Sequence, residues 1–403
     1  MFTNDNTECS TKISVISQSK FDKWLLTQSS FTKNWSLSNN FKAESGKILK
    51  IPYEDGRLKE VILGEGTDKN LEAISAFSAS NIGNYYISHK FAKSKESEIH
   101  KAWAWGNYKY QSKSKKNLLY IKDQKELEFL AFYSDCINFS RDLINSPANK
   151  LNPSTYYSKI KNNNLFKSFN FIDYTEKEIN SNFPLTCAVG KSSSSKPKVI
   201  EITNRKLSKK DKPLVIIGKG VTFDTGGLNI KTGTGMSLMK KDMGGAANCI
   251  GLAKLVGDFD VNVDLTLLLC LVENSISKKS IRPSDIIKSR EGSYVEIGDT
   301  DAEGRLILAD AITYACEKKA DLIIDMATLT GASRVAMGID VPSFFCNDDD
   351  LAMKLIDISQ KIGDPLWQLP LWENYSSQLN SQHADFKNIG NSMFGGAITA
   401  ALF

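Results

Sequence analysis

Apolar residues fall along this chain in two rhythms. Up to about residue 120 the apolar runs are short and interrupted by Lys, Ser and Asn. There "GKILKIPY" (46–53) and "LKEVILGEG" (58–66) predict strands, and "NLEAISAFSAS" (70–80) predicts a helix. Next comes "DQKELEFLAFYSDCINFSRDLINSPANKLNP" (123–153), with Leu127, Leu130, Ala131, Cys136, Ile137, Leu143 and Ile144 at helical spacing. This predicts one long helix, stopped where Pro147 and Pro153 follow. Beyond it, apolar strands alternate with helices. "KPKVIEI" (196–202), "KPLVIIGKG" (212–220), "VNVDLTLLLCLV" (261–272) and "ADLIIDMATL" (320–329) predict strands. Between them, "MGGAANCIGLAKLVGDF" (243–259) and "AEGRLILADAITYACEKKA" (302–320) predict helices.

The alternation predicts an α/β protein of two domains. A smaller N-terminal α/β domain spans 1–122, a connecting helix 123–147, and a larger domain 148–403. The larger one is expected to hold a mainly parallel central sheet flanked by helices. In such sheets ligands bind where strands end and loops lead into helices.

Composition narrows the classes. Hydrophobic residues make up 41% and charged residues 24% of 403, ordinary values for a globular protein with a large core. A formal charge of +5 gives no strong case for nucleic acid or an anionic membrane. "HKAWAWGNYKYQSKSKK" (100–116) mixes aromatics with lysines, as a nucleic-acid binder working by stacking plus charge would. The favoured reading is an amphipathic helix with Trp103 and Trp105 on a core and lysines in water. The seven cysteines (Cys9, Cys136, Cys187, Cys249, Cys270, Cys316 and Cys346) form no C-x-x-C pair, which favours a reducing cytoplasm over a disulfide framework. No secretory h-region opens the chain, and the longest apolar runs are strand-length, so no membrane span is expected. With only His89, His100 and His383 available, a metal here would have to sit on carboxylates.

Acids gather at the predicted strand ends. "GKGVTFDTGG" places Lys219 and Asp224 in a glycine-rich turn, and "LNIKTGTGMSLMKKDMGGAA" supplies Lys231 and Asp242. "GDTDAEGRL" (298–306) brings Asp299, Asp301, Glu303 and Arg305 to the mouth of a helix. Each segment has a purely structural explanation. Thr300-x-x-Glu303 fits a capping box and Asp242 a helix cap, while both lysines fit solvated loops. Taken together, those explanations lose ground. Three acid-bearing turns at one sheet edge would crowd Asp224, Asp242, Asp301 and Glu303 into one cleft, where four carboxylates repel and take up protons. Two divalent cations would balance the four charges, and carboxylate ligation suits Mn²⁺, Mg²⁺ or Zn²⁺.

"GKGVTFDTGG", "MKKDMGGAA", "DTDAEGRL" and "ATLTGA", in that order and spacing, resemble the leucyl aminopeptidase (cytosol aminopeptidase) family of dinuclear metallopeptidases. The resemblance covers roughly residues 125–403 and is looser before that. It implies release of N-terminal amino acids from peptides by a water activated between two metals. It also implies Lys219, Asp224, Asp242 and Glu303 as ligands of a tighter site, and Asp224, Asp301 and Glu303 as ligands of a more exchangeable one, which also takes the substrate's α-amine. Lys231 would polarise the scissile carbonyl and Arg305 would hold a bicarbonate. Met239, Thr328, Leu329 and Gly331 would line the amino-acid pocket. The ions would be Mn²⁺ or Zn²⁺, with Mg²⁺ a candidate at the exchangeable site. A homo-hexamer in the cytoplasm acting on peptides with a free N-terminus is also implied.

Two departures from the family stand out. Asp299 occupies a position where it usually has Asn, and the chain stops at "GGAITAALF", inside a predicted helix where the family runs on through a further strand and helices. A natural end at Phe403 would leave apolar edges exposed and impair activity. Rival readings are such a catalytically impaired relative, a nucleic-acid binder acting through the basic N-terminal domain, and another two-metal hydrolase such as a phosphatase. Against the last stands the absence of a phosphate-cradling G-x-x-x-x-G-K-[ST] loop.

Overall fold

The structure, a computed structural model, describes residues 1–5, 11–66, 71–81, 83–88, 91, 93–111, 117–204, 212–259 and 263–403. Cys9, His89 and the lysine-rich stretch 112–116 lie outside the described residues. The chain divides into two compact units, Met1–Asn138 and Phe139–Phe403.

The first unit is built on a sheet of β1 (Phe2–Thr3), β2 (Thr11–Ser17), β3 (Ile48–Pro52), β4 (Leu58–Gly66), β5 (Asn84–Ile87) and β6 (Leu118–Tyr120). The order is β1-β6-β5-β2-β4-β3, parallel throughout except for the β3–β4 edge. Ile13, Val15, Val61 and Leu63 meet Phe77 of the helix Glu72–Ser80 and Trp103 of the helix Lys93–Gly106 in one core. The expectation that Trp105 joins Trp103 there is wrong. Residues two apart on a helix point to different faces, so Trp103 is 1% exposed and Trp105 40%. The predicted long helix is Gln124–Asn145, and Pro153 opens the next one, Pro153–Lys161, behind an Asn152–Thr155 capping box.

The second unit holds the alternating segments. Its central sheet contains β7 (Phe169–Asp173), β8 (Lys198–Asn204), β9 (Lys212–Asp224), β10 (Val263–Asn274) and, after the short β11 (Ile286–Lys288) and β12 (Tyr294–Glu296), β13 (Leu322–Met326). The order is β13-β9-β10-β8-β7. β13, β9 and β10 run parallel, and β8 and β7 continue the sheet antiparallel. Across the molecule's sheets parallel pairing predominates.

The unbroken apolar runs of β9 and β10 follow from burial on both faces. Side chains alternate between faces with period two. Val215, Ile217, Leu268, Cys270 and Val272 therefore pack on one side with Leu306, Ile307 and Ala311 of the helix Glu303–Glu317. Ile216, Leu267, Leu269 and Leu271 pack on the other with Ala246, Cys249 and Ile250 of the helix Gly244–Asp258. The two helices thus start on opposite faces near the same strand ends. Among the described residues no helix is long and apolar enough to cross a membrane.

Candidate metal centre

Four segments converge where β9, β10 and β13 end. β9 supplies Lys219 from within the sheet and Asp224 from its last position. The turn Met239–Lys241 ends on Asp242 just before the helix Gly244–Asp258. The loop before the helix Glu303–Glu317 brings Asp301, and that helix's first residue is Glu303.

One carboxylate oxygen each from Asp224, Asp242 and Glu303 lie within 4.8 Å of one another, and all three residues are buried. The Lys219 ammonium sits among them, 2.8 Å from Asp242 Oδ2, 3.0 Å from Glu303 Oε1 and 2.9 Å from the Thr328 carbonyl. Lys231 bridges the other side, 2.9 Å from Asp224 Oδ2 and in contact with Asp301 Oδ1. Among the described residues Arg305 does not join these ion pairs, and its Nε and Nη1 are buried with no hydrogen-bond partner there, as is Glu303 Oε2.

The electrostatics follow from four carboxylates facing two ammonium groups. Burial would lower the Lys219 pKa, but Glu303 and Asp242 beside it raise it above the ordinary lysine value. Lys231 is raised likewise, because Asp301 and Asp224 outweigh its desolvation. Burial pushes the Glu303 carboxyl up, and the charges of Asp224 and Asp242 add to that against the pull of Lys219. Asp301 is pushed up to about 6, first by burial, then by Asp224, with Lys231 opposing. Counted formally, the four acids exceed the two lysines in charge. That is the condition under which a carboxylate cluster accepts divalent cations. The buried oxygens and the unpartnered Glu303 Oε2 fit such ions.

Local packing explains the glycines between the acids. Gly226 has φ +86, and a Cβ there would lie 2.5 Å from the Asn229 carbonyl and 3.1 Å from Asp301 Oδ1. A Cβ on Gly304 would stand 2.6 Å from Lys219 Cε and 2.7 Å from its Nζ. Only glycine leaves the buried lysine room to reach Asp242 and Glu303.

Both capping explanations fail. The helix Glu303–Glu317 has Ala302 at its N-cap, and no side chain caps it. Thr300 is instead fully buried; its hydroxyl donates to the Gly226 carbonyl at 2.6 Å and accepts from the Asn229 N–H at 2.8 Å. Those bonds satisfy the hydroxyl across the sheet edge and tie two acid-bearing turns together. Asp242 likewise caps nothing, since Met243 is the N-cap of the next helix and no side chain bonds there. Asp242 Oδ1 accepts instead from the Thr328 hydroxyl at 2.7 Å.

Of the residues expected at a substrate pocket, Thr328 thus touches both Asp242 and Lys219. Leu329 packs half-buried against the core, Met239 is half-buried in the turn leading to Asp242, and Gly331 is exposed. Sequence reasoning missed three asparagines. Asn274, at the end of β10, donates to Asp224 Oδ1 at 2.8 Å and to the Thr300 carbonyl at 3.0 Å. Asn229 Oδ1 accepts from the Thr300 N–H at 3.0 Å. Asn388 Oδ1 accepts from the Gly298 and Asp299 N–H groups, and its Nδ2 donates to the Asp299 carbonyl. The one signal for Asn274 was an amide closing a strand whose centre, residues 267–272, is wholly apolar.

The chain matches known protein families. Residues 138–403 match the model of the cytosol aminopeptidase family catalytic domain, and residues 11–122 that of the M17 aminopeptidase N-terminal domain. The chain belongs to the cytosol aminopeptidase family. Family membership makes it a metallo-aminopeptidase, a hydrolase of peptide bonds with peptides as substrates. The chain is 37% identical over 343 residues to a probable cytosol aminopeptidase of Persephonella marina, a match covering 85% of this chain and 67% of that one. It is 34% identical to a probable cytosol aminopeptidase of Aquifex aeolicus, covering 90% and 79%. Several other relatives are matched over little more than half their length. The crystal structure of cytosol aminopeptidase from Coxiella burnetii superposes with a TM-score of 0.90 at 35% identity, covering all of this chain and 88% of that one. The fold class is therefore the two-domain, mixed α/β architecture of that family. The nucleic-acid reading is not favoured, since Trp103 of the aromatic–lysine stretch is buried in a core.

Proposed function

We propose that this chain removes N-terminal amino acids from peptides at the carboxylate cluster, with two divalent cations bound. Lys219, Asp224, Asp242 and Glu303 would hold the tighter ion, and Asp224, Asp301 and Glu303 the more exchangeable one. Mn²⁺ or Zn²⁺ is the proposed identity, with Mg²⁺ a further candidate at the second position. Bound there, the ions would supply Lewis acidity and an activated water at neutral pH.

The chain's own residues have separable tasks. Lys231 keeps its proton, because Asp301 and Asp224 raise its pKa. It is therefore the group to polarise the scissile carbonyl and stabilise the developing oxyanion. Lys219 must give up its proton to act as a ligand, which the approach of cations favours. Arg305 offers buried N–H groups, unpartnered among the described residues and suited to a small planar anion, and we assign bicarbonate to it. Met239, Thr328, Leu329 and Gly331 are the proposed walls for the released side chain. A homo-hexamer in the cytoplasm is the proposed working form, as for the family.

The single observation carrying this reading is the convergence of Asp224, Asp242 and Glu303 within 4.8 Å in a buried site. The test is hydrolysis of leucine p-nitroanilide by the full chain, stripped with chelator and resupplied with Mn²⁺. Turnover lost with the metal and restored by it is expected; turnover indifferent to complete metal removal would overturn the proposal.

A further inference from the structure

Asn274 is buried to 1% exposure at the last position of β10, yet it belongs to none of the acid-bearing turns. Its carboxamide spends both hydrogens on the site. One goes to Asp224 Oδ1 at 2.8 Å and the other to the Thr300 carbonyl at 3.0 Å. Its backbone carbonyl accepts from the Thr225 N–H at 3.0 Å and the Thr225 hydroxyl at 2.9 Å. One residue therefore clamps the turn after β9 to the loop that carries Asp301 and leads to Glu303.

The chemistry of this clamp is directional. Asp224 Oδ1 also accepts from the Gly226 N–H at 2.8 Å. Two donors occupy that oxygen and leave Oδ2, the one facing Lys231, turned to the cluster. A neutral amide can donate to a carboxylate and to a carbonyl at once, whereas an acid or a hydroxyl at this place cannot. Fixing a ligand's orientation from behind raises metal affinity without touching the metal.

We infer that Asn274 is a positioning residue that sets the affinity of the cluster for divalent cations, by aiming Asp224 Oδ2 inward and holding the Asp224 and Asp301 turns at a fixed separation. The inference rests on the metal-centre reading above. Asn204 is a suitable control: it too is a buried asparagine of this sheet, bonded to the Val263 carbonyl and the Leu265 N–H, away from the cluster.

The test titrates Mn²⁺ alone into the chelator-stripped full chain by calorimetry and follows thermal unfolding in chelator. Wild type, Asn274→Ala, Asn274→Asp and Asn204→Ala are compared. Both Asn274 variants should bind Mn²⁺ about 10–100-fold more weakly than wild type. Asn204→Ala should lose thermal stability while keeping its Mn²⁺ affinity. Should Asn274→Ala fail to fold, the isosteric Asn274→Asp decides, since it keeps the volume and replaces the donor by an acceptor. Unchanged affinity in the folded Asn274 variants, or an equal loss in Asn204→Ala, overturns the inference and leaves the metal centre standing. Wild type that binds no Mn²⁺ overturns both.

Discussion

At the scale of single residues, the site is a set of charges held closer than they would settle unaided. Lys231 meets Asp224 and Asp301 at once, and both raise its pKa, so it remains a cation well above neutral pH. An oxyanion-stabilising group contributes about 10²–10³-fold to kcat. Lys231→Ala should therefore lower kcat by about that factor, with the circular dichroism spectrum unchanged and KM moving little; steady-state kinetics on leucine p-nitroanilide checks this. A second charged network lies away from the site. Buried Glu201 accepts from Tyr174, Tyr314 and Lys318 at 2.7, 2.6 and 2.6 Å. Burial alone would raise its pKa, but Lys318 and the two hydroxyls hold it below the usual carboxylate value. The native state therefore binds fewer protons than the unfolded chain, and stability rises with pH through this window. The contribution is complete above the unfolded carboxylate value and vanishes as pH falls through the depressed native one. Denaturant unfolding at neutral pH should show Glu201→Gln weaker by about 2–3 kcal/mol. The gap to wild type should close in acid.

At the scale of elements, the decisive contact is between a strand and a helix start. The helix Glu303–Glu317 approaches β9 so closely that Gly304 leaves no space for a methyl group over Lys219. Gly304→Ala should push the lysine off Asp242 and Glu303 and cost about 1–3 kcal/mol, as overpacking does. Metal content after dialysis should fall with it, which elemental analysis and denaturant unfolding measure together. This scale also shows what could be read in advance. The β10 run announced a strand buried on both faces, and the apolar stripes of the helices Gly244–Asp258 and Glu303–Glu317 announced their packing, because period and burial are local properties. Thr300-x-x-Glu303 misled for the opposite reason. The motif is local, but the partners that Thr300 takes, Gly226 and Asn229, lie some seventy residues back. Asn274 and Asn388 were silent because an amide acquires meaning only from the backbone it reaches. Trp105 was misassigned because a neighbour's burial says little about a residue two positions on.

At the scale of the whole molecule, a doubly covered sheet gathers distant acids at one edge, and cations bound there would hold the second unit's strands and helices together. A ligand bound only by the folded state stabilises it by about 2.7 kcal/mol at a hundred times its Kd. Thermal unfolding of the full chain should therefore rise by several degrees with excess Mn²⁺ and lose that gain in the Asp224→Ala variant. The four acids were legible in the sequence as residue types at strand ends, their convergence was inferred from the shared sheet edge, and the pair of cations from charge balance. The depth of Lys219 among them was not, since no local pattern distinguishes a buried lysine from a solvated one. The most direct test is an anomalous-difference map from crystals of the full chain soaked in Mn²⁺, collected near the manganese edge. Two peaks are predicted, one among Lys219, Asp224, Asp242 and Glu303 and one among Asp224, Asp301 and Glu303. Saturating Mn²⁺ with no peak at these residues, or with ions bound elsewhere only, would contradict the account.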